Sequence, residues 1–353
     1  MMNRRLHNQP LVSICIPTYN VEKTVINTVQ SILNQTYHNL EIIIVDNDST
    51  DDTLNLLRKF KDSRIKSYKN NKNIGGEASF SKCVKLANGE YIAVFHADDL
   101  YMPEMVQKQV QVFQDNSSIG AVFTMATRIN DCGKLIGEDK LPVELKYKIF
   151  FYFPEIFLSI LRNGNFLLCP SAMVKSKIYK ELVPFNEDKF KTSADLDIWL
   201  RILKKYPIAI LDEKLMSRRI NSIQGSYTTT YLRTEQADFF KVMDYFLSYR
   251  SIVQEISHKT LSKYEFLRYI DNIKRAINYL IKKQPQETKN LLVKSFSANI
   301  FFEAISNFKK PKFFIWWFIG IIISGLVHLG LGQHFGKSLH WLLYTFKRRL
   351  MGA

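Results

Sequence analysis

A doubly wound α/β sheet, mostly parallel and flanked by helices, is the fold class predicted for residues 1–125, and three observations predict it. Short apolar runs alternate with amphipathic ones. The run Glu41 to Val45 is almost continuously apolar, as in a strand covered on both faces. Finally, a polar cluster follows each of three apolar runs directly, and in such sheets ligands bind beyond the carboxyl ends of the strands.

Taken in order, Val12 to Ile16 reads as a strand, and Glu22 to Leu33 carries helical spacing through Val25, Val29, Ile32 and Leu33. Glu41 to Val45 is the buried strand. Asp51 or Asp52 can cap a helix running to about Lys61. A strand at Ile65 to Tyr68, a helix at Glu77 to Ala87, a strand at Tyr91 to Phe95 and a helix at Pro103 to Gln114 continue the alternation. Beyond Thr127 the pattern turns irregular, with an aromatic and apolar stretch at Ile149 to Ile160 before a helix at Leu196 to Lys204. Four segments are therefore expected: an α/β half at 1–125, a second half at 126–230, a charged helical extension at 231–310 and a basic, apolar tail at 311–353.

With 353 residues, 46% of them apolar and 13% aromatic, the chain can bury a large core, which excludes a disordered protein. Cys15, Cys83, Cys132 and Cys169 lack Cys-x-x-Cys spacing, so neither a zinc site nor a disulfide framework is suggested and a reducing cytosol fits. Arg4 and Arg5 precede no apolar run before Leu11, so no secretory signal is expected. The formal charge of +16 is uneven: residues 1–230 carry 30 Lys and Arg against 25 Asp and Glu, whereas residues 231–353 carry 19 against 8. A partner that explains the charge meets the C-terminal third.

The polar clusters are Thr18-Tyr19-Asn20, Asp46-Asn47-Asp48-Ser49 and His96-Ala97-Asp98-Asp99. Asp residues commonly begin turns and cap helices, so Asp98-Asp99 alone is a weak signal. Convergence of three clusters on one rim is stronger. Adjacent carboxylates repel, and a hard divalent cation bridging to substrate phosphates resolves the repulsion.

Five motifs in this order, IPTYN, VDNDSTDDT, NKNIGG, ANGEYIAVFHADDLYMPE and SADLDIWLRI, make Leu11 to Tyr227 resemble the family 2 glycosyltransferases of the GT-A fold. The resemblance implies an inverting enzyme that uses a nucleotide-activated sugar with Mn²⁺ or Mg²⁺. It implies that Thr18, Tyr19 and Asn20 lie against the nucleotide and that Asp46 accepts from a uracil or thymine base. It places Asp98 near ribose and metal, Asp99 as the principal metal ligand and Asp195 as the base that deprotonates the acceptor hydroxyl. A helix N-cap is the alternative for Asp195. Asp197 is a structural or acceptor-side carboxylate, Arg201 is either a substrate contact or its i,i+4 partner, and Arg219 is a diphosphate contact or a solvated charge.

The chain also departs from the family pattern. Asn47 stands where a second acid is usual, Asp48 where a glycine is usual, His96 where an Asp is frequent, and Ser79-Phe80-Ser81 where Ala-Arg-Asn is frequent. His96 reads as a turn residue or a metal or ribose contact, and Gly75-Gly76 as a turn before a helix. Arg218 and Arg219 precede Asn221 to Ser226, which resembles the family's mobile active-site loop.

In the tail, the 20 residues Phe313 to Gly332 contain no Lys, Arg, Asp or Glu, and basic residues flank them on both sides. A re-entrant or interfacial hairpin keeps both flanks on one face. Phe335, Leu339, Leu342, Leu343, Phe346 and Leu350 then form one face of an amphipathic helix suited to anionic lipid. A buried helix pair is the alternative.

The expectation is an inverting enzyme at the cytoplasmic face of the cell membrane. It moves one sugar from a nucleotide-diphosphate donor, UDP foremost, to a saccharide or lipid-linked saccharide of a surface polysaccharide. No Gln-x-x-Arg-Trp motif marks it as processive. A non-catalytic nucleotide-sugar-binding scaffold and a basic nucleic-acid-binding protein are the rival classes; the nearly balanced first half speaks against nucleic acid as a partner.

Overall fold

The computed structural model describes residues 9–182, 187–220, 232–254, 256–293, 295, 300–302, 305 and 311–330. The chain divides into two compact units, one of residues 1–156 and 165–220, the other of residues 157–164 and 221–353.

The first unit holds a sheet of ten strands: β1 Val12–Thr18, β2 Leu40–Asp46, β3 Ile65–Lys69, β4 Tyr91–Val94, β5 Leu100–Tyr101, β6 Ala121–Ile129, β7 Leu135–Glu138, β8 Phe150–Phe151, β9 Met173–Lys175 and β10 Ile208–Arg219. The order is β3-β2-β1-β4-β9-β6-β10-β5, with β7 on β6 and β8 on β10. Pairs β1/β2, β1/β4, β2/β3 and β6/β10 are parallel, and the ladders made by β5, β7, β8 and β9 are antiparallel. The sheet is therefore mixed rather than mostly parallel. Strands of two or three residues such as β5, β8 and β9 carry no period that a sequence can display.

Every residue of β2 is buried, as its apolar run requires, and edge strand β3 is largely exposed. Helices α1 Val25–Leu33, α2 Thr53–Leu57, α3 Gly76–Leu86 and α4 Met105–Asp115 follow the first four expected helices. The first starts at Val25 rather than Glu22 because Val21 to Thr24 makes a turn, the Thr24 and Val25 N–H groups donating to the Val21 carbonyl. The second stops at Leu57, well short of Lys61, as the Lys59 and Phe60 N–H groups tighten onto Leu56 and Leu57. Ile149 to Ile160 resolves into β8 and the start of α5 Phe153–Asn163. Two short helices follow, α6 Ser176–Leu182 and α7 Glu187–Phe190, and then α8 Ala194–Leu203.

One buried carboxylate sets the end of the sheet opposite the site. Burial alone would raise Glu41, but hydrogen bonds from Lys66, Ser13 and the Asn88 N–H dominate and hold it at about 2. Gly89 closes against the same place, where an added Cβ would lie 2.6 Å from the Ser13 nitrogen. The turn into β4 is thereby fixed.

The second unit is helical: α9 Asp238–Leu247, α10 Arg250–Val253, α11 His258–Ile281, α12 Pro285–Val293 and α13 Pro311–His328. Ser257 caps α11, its hydroxyl accepting the Thr260 N–H. Phe266, Tyr269, Ile273, Ile277 and Leu280 form the core, which Leu292 and Ile323 complete. Gly320 gives the Tyr269 hydroxyl its room, since a Cβ there would lie 1.9 Å from that oxygen. Among the described residues no helix is long and apolar enough to cross a membrane. The amphipathic helix expected over Phe335 to Leu350 and the loop Asn221 to Ser226 lie outside the described residues.

Candidate active site

The three polar clusters meet at the carboxyl ends of β1, β2 and β4. Thr18 and Asp46 are register partners at the ends of adjacent strands, and the Thr18 hydroxyl donates to Asp46 Oδ1 at 3.3 Å. Asp46 is buried, and it also accepts the Ser49 hydroxyl at 2.6 Å and the Ser49 N–H at 3.0 Å. Asn20, at φ 50°, accepts the Thr50 N–H through its Oδ1, tying the first cluster to the second. Tyr19 is exposed beside them.

Asn47 shows why an amide stands there. Its Nδ2 donates to Asn73 Oδ1 and the Gly75 carbonyl, and its Oδ1 accepts from Asn70 Nδ2 and the Ile74 N–H. A carboxylate would lose both donations. Through Asn47, the end of β2 holds the turn at Gly75, φ 89°, from which α3 starts.

The acidic turn is built from below. Thr24, just before α1, and Thr28, one turn on, donate to the Ala97 carbonyl, and Thr28 also reaches the Asp99 carbonyl at 2.8 Å. The Tyr101 hydroxyl accepts the His96 N–H at 2.7 Å. From β10, the Arg219 N–H donates to Asp99 Oδ1 at 2.8 Å, and its guanidinium donates to the carbonyls of Asp98, Asn130 and Asp131. Arg219, read from sequence as a diphosphate contact or a solvated charge, is thus engaged with backbone of the acidic turn and of Asn130 and Asp131. Neighbouring Arg218 makes a two-pronged contact with Asp139, both distances 3.2 Å.

Asp99 is 1% exposed, and its second oxygen, Oδ2, is buried without a hydrogen-bond partner. Burial first, and then the charge of Asp98, push its carboxyl well above the usual range against the opposing Arg219 N–H. Burial lowers the His96 imidazole, with Asp98 opposing and Arg218 assisting. Ligand atoms of His96, Asp98 and Asp99 all lie within 4.8 Å of one another. An orphaned buried carboxylate oxygen beside a second carboxylate and an imidazole is a donor set that fits a hard divalent cation.

Asp195 lies in the first turn of α8, one residue inside it. Ser193 occupies the N-cap position, so Asp195 does not cap the helix. Burial above all, with a contribution from Glu77, pushes its carboxyl up to about 6, although the Leu196 N–H donates to it at 2.8 Å. Asp197 is buried and pairs with Arg201 at 2.9 Å; Arg201 also donates to the Leu182 carbonyl. Arg201 is accordingly tied within its own helix and to the end of α6.

Three groups escaped the sequence reading. Thr28 was legible as a polar residue on the apolar face of Val25, Val29 and Ile32. Glu77 and Cys169, whose charge and thiol are close to Asp195, come from distant segments and gave no signal.

Comparison with known proteins identifies the family and the fold. Residues 13–183 match the model of glycosyl transferase family 2. An uncharacterized glycosyltransferase of Methanocaldococcus jannaschii is 36% identical over 219 residues, covering 60% of this chain and 72% of its own. The Escherichia coli enzyme UDP-Glc:alpha-D-GlcNAc-diphosphoundecaprenol beta-1,3-glucosyltransferase WfgD is 29% identical over 219 residues, 62% of this chain and 80% of its own. The crystal structure of S. aureus TarS in complex with UDP superposes with a TM-score of 0.51 at 16% identity, covering 84% of this chain and 91% of that one. At that identity the likeness is one of fold, the GT-A fold. The chain belongs to the family 2 glycosyltransferases and is a transferase.

Proposed function

We propose that the protein is a cation-dependent, inverting glycosyltransferase that moves a single sugar from a uridine-diphosphate donor to a saccharide carried on a lipid diphosphate. The observation that carries this reading is the buried, unpartnered Oδ2 of Asp99 beside Asp98 and His96 at the end of β4. The acceptor and donor classes are those in the name of the E. coli relative.

In this reading Asp99, with Asp98 and His96, holds Mn²⁺ or Mg²⁺, which when bound supplies positive charge to the diphosphate leaving group. Thr18, Tyr19 and Asn20 flank the nucleotide. Asp46 faces the base while its inner hydrogen bonds to Thr18 and Ser49 fix its position. Arg219 serves as a positioning residue, since two of its hydrogen bonds hold the acidic turn and two tie it to the carbonyls of Asn130 and Asp131. Arg201 keeps Asp197 neutralised at the base of α8 and acts on substrate only through that helix. Asp195 takes the proton of the acceptor hydroxyl as that oxygen attacks the anomeric carbon opposite the departing diphosphate, inverting the centre.

Thermal unfolding with UDP, GDP and dTDP, each with and without Mn²⁺, tests the reading. UDP with Mn²⁺ at about 100 times its dissociation constant is expected to stabilise by roughly 2.7 kcal/mol, a shift of several degrees. Indifference to all three nucleotides would sink it.

The reading extends to the second unit and a site at the cytoplasmic face of the membrane. On α13, Phe318, Ile321 and Ile322 are exposed along one face, with Leu329 exposed just beyond the helix, while Ile323 and Gly320 pack inward. An exposed apolar helical face in the strongly basic third suits an anionic lipid surface. The protein is expected to co-sediment with phosphatidylglycerol vesicles and not with phosphatidylcholine alone. The double change Phe318→Ser, Ile322→Ser is expected to weaken that binding about thirtyfold or more, from roughly 1–3 kcal/mol for each of the two apolar side chains lost from lipid. Equal binding to both vesicle types counts against this placement.

A further inference from the structure

Cys169 and Glu77 lie near Asp195, and Cys169 near Asp99 as well, yet neither has assigned work. Cys169 opens the short turn Cys169–Ser171, which is firmly held: Gln109 Nε2 donates to the Ser171 carbonyl at 2.8 Å, and the Val94 N–H to the Ala172 carbonyl at 3.1 Å. Burial first pushes the Cys169 thiol well up, and the charges of Asp195, Glu77 and Asp99 add to it in that order. One partly exposed thiol therefore lies among three carboxylates. Asp99, with its buried and unpartnered Oδ2, is the cation-side carboxylate among the three, and Asp195 is the base.

Glu77 is held opposite Asp195 by an aromatic column. Phe80 of α3 packs on Tyr179 at 5.8 Å between ring centres, Tyr179 on Trp199 of α8 at 6.1 Å, and Trp199 edge-on against Phe123 at 5.1 Å. Glu77 stands one helical turn before Phe80, and Asp195 one turn before Trp199, so both carboxylates head the same faces that carry the column. The two helices are braced at the rings, and the acids stand at their open N-terminal ends. Glu77 is half-buried and has no side-chain hydrogen bond or ion pair among the described residues. A half-buried carboxylate fixed by its helix but lacking a donor is a ready acceptor for hydroxyl groups.

Given the transferase reading, the sugar ring must lie between the cation-held diphosphate and the base, which is the space bordered by Cys169 and Glu77. We propose that Glu77 is a specificity-determining residue of the donor-sugar subsite, accepting hydrogen bonds from hydroxyls of the transferred sugar, with Cys169 lining the same subsite. The nucleotide itself makes no use of Glu77.

The test compares Glu77→Gln with wild type in equilibrium binding of UDP, UDP-glucose, UDP-galactose and UDP-N-acetylglucosamine, all with Mn²⁺. Glu77→Gln is expected to leave the UDP dissociation constant within twofold and to weaken at least one UDP-sugar tenfold or more. In a Cys132→Ser background, which removes the exposed thiol, that same UDP-sugar is expected to slow maleimide labelling of Cys169 more than UDP does, and Glu77→Gln is expected to erase the difference. UDP and UDP-sugars weakened alike, or no change for any UDP-sugar, overturns the proposal while leaving the transferase reading in place. Failure of wild type to bind UDP at all overturns both.

Discussion

Asp195→Asn is expected to lower kcat by about three orders of magnitude, in the middle of the range for a general base, while changing UDP–Mn²⁺ binding less than twofold. A non-catalytic scaffold has no such dependence, and loss of UDP binding in the variant would reassign Asp195 to a structural or donor-binding role. The environment supplies a second readout. Burial and Glu77 push Asp195 up to about 6, so the wild-type kcat/KM is expected to fall as pH drops through about 6, where the base becomes protonated. The titratable groups facing Asp195 are Glu77, Cys169 and Tyr179, and burial also holds the latter two well above their usual ranges, so neither titrates in this window.

The same shift carries a sign for stability. A carboxyl raised in the folded state binds its proton more tightly folded than unfolded, so the wild type loses stability as pH rises from about 4 through about 6. Asparagine has no such loss. Discounted for the partial exposure of the side chain, Asp195→Asn is expected to gain roughly 1–2 kcal/mol at pH 7, a few degrees of Tm, and nothing near pH 4. A variant that is inactive and more stable separates catalysis from folding in one protein.

How far the site was legible in the sequence follows from the kind of signal each residue leaves. Thr18, Asp46 and Asp99 follow apolar runs that only strands explain, so their convergence was readable from alternation alone. The partnership of Asp197 and Arg201 was open at i,i+4 spacing and is an ion pair in the fold. Arg219 could not be read, because its guanidinium is spent on carbonyls of Asp98, Asn130 and Asp131, and backbone groups look the same in every sequence. Asn47 looked like a departure from an acidic pattern, yet its four hydrogen bonds explain the amide better than any comparison of motifs. Strand β9 joins the two halves of the sheet through three residues, Met173 to Lys175, too few for a period.

Asp99→Asn is expected to remove both turnover and the manganese-dependent stabilisation by UDP, a loss of more than a thousandfold in kcat/KM and of roughly 2.7 kcal/mol at about 100 times the wild-type dissociation constant. The fold is not expected to suffer. The Arg219 N–H still finds an acceptor in the amide oxygen, so the hydrogen bond at 2.8 Å survives, and a buried charge is exchanged for a neutral group of the same shape. Asp99 lies 1% exposed with Oδ2 unpartnered, an arrangement that costs stability unless a cation completes it. The Tm of the variant without metal or nucleotide is therefore expected to equal or exceed that of wild type. Two other results point elsewhere. A metal-free Tm several degrees below wild type makes Asp99 a structural anchor of the turn, and undiminished manganese dependence moves the cation away from the acidic turn altogether. Asp98 and His96 then separate the contributions within the turn: each, changed alone to asparagine or glutamine, is expected to weaken the manganese response without abolishing it, because the orphaned oxygen that calls for a cation belongs to Asp99.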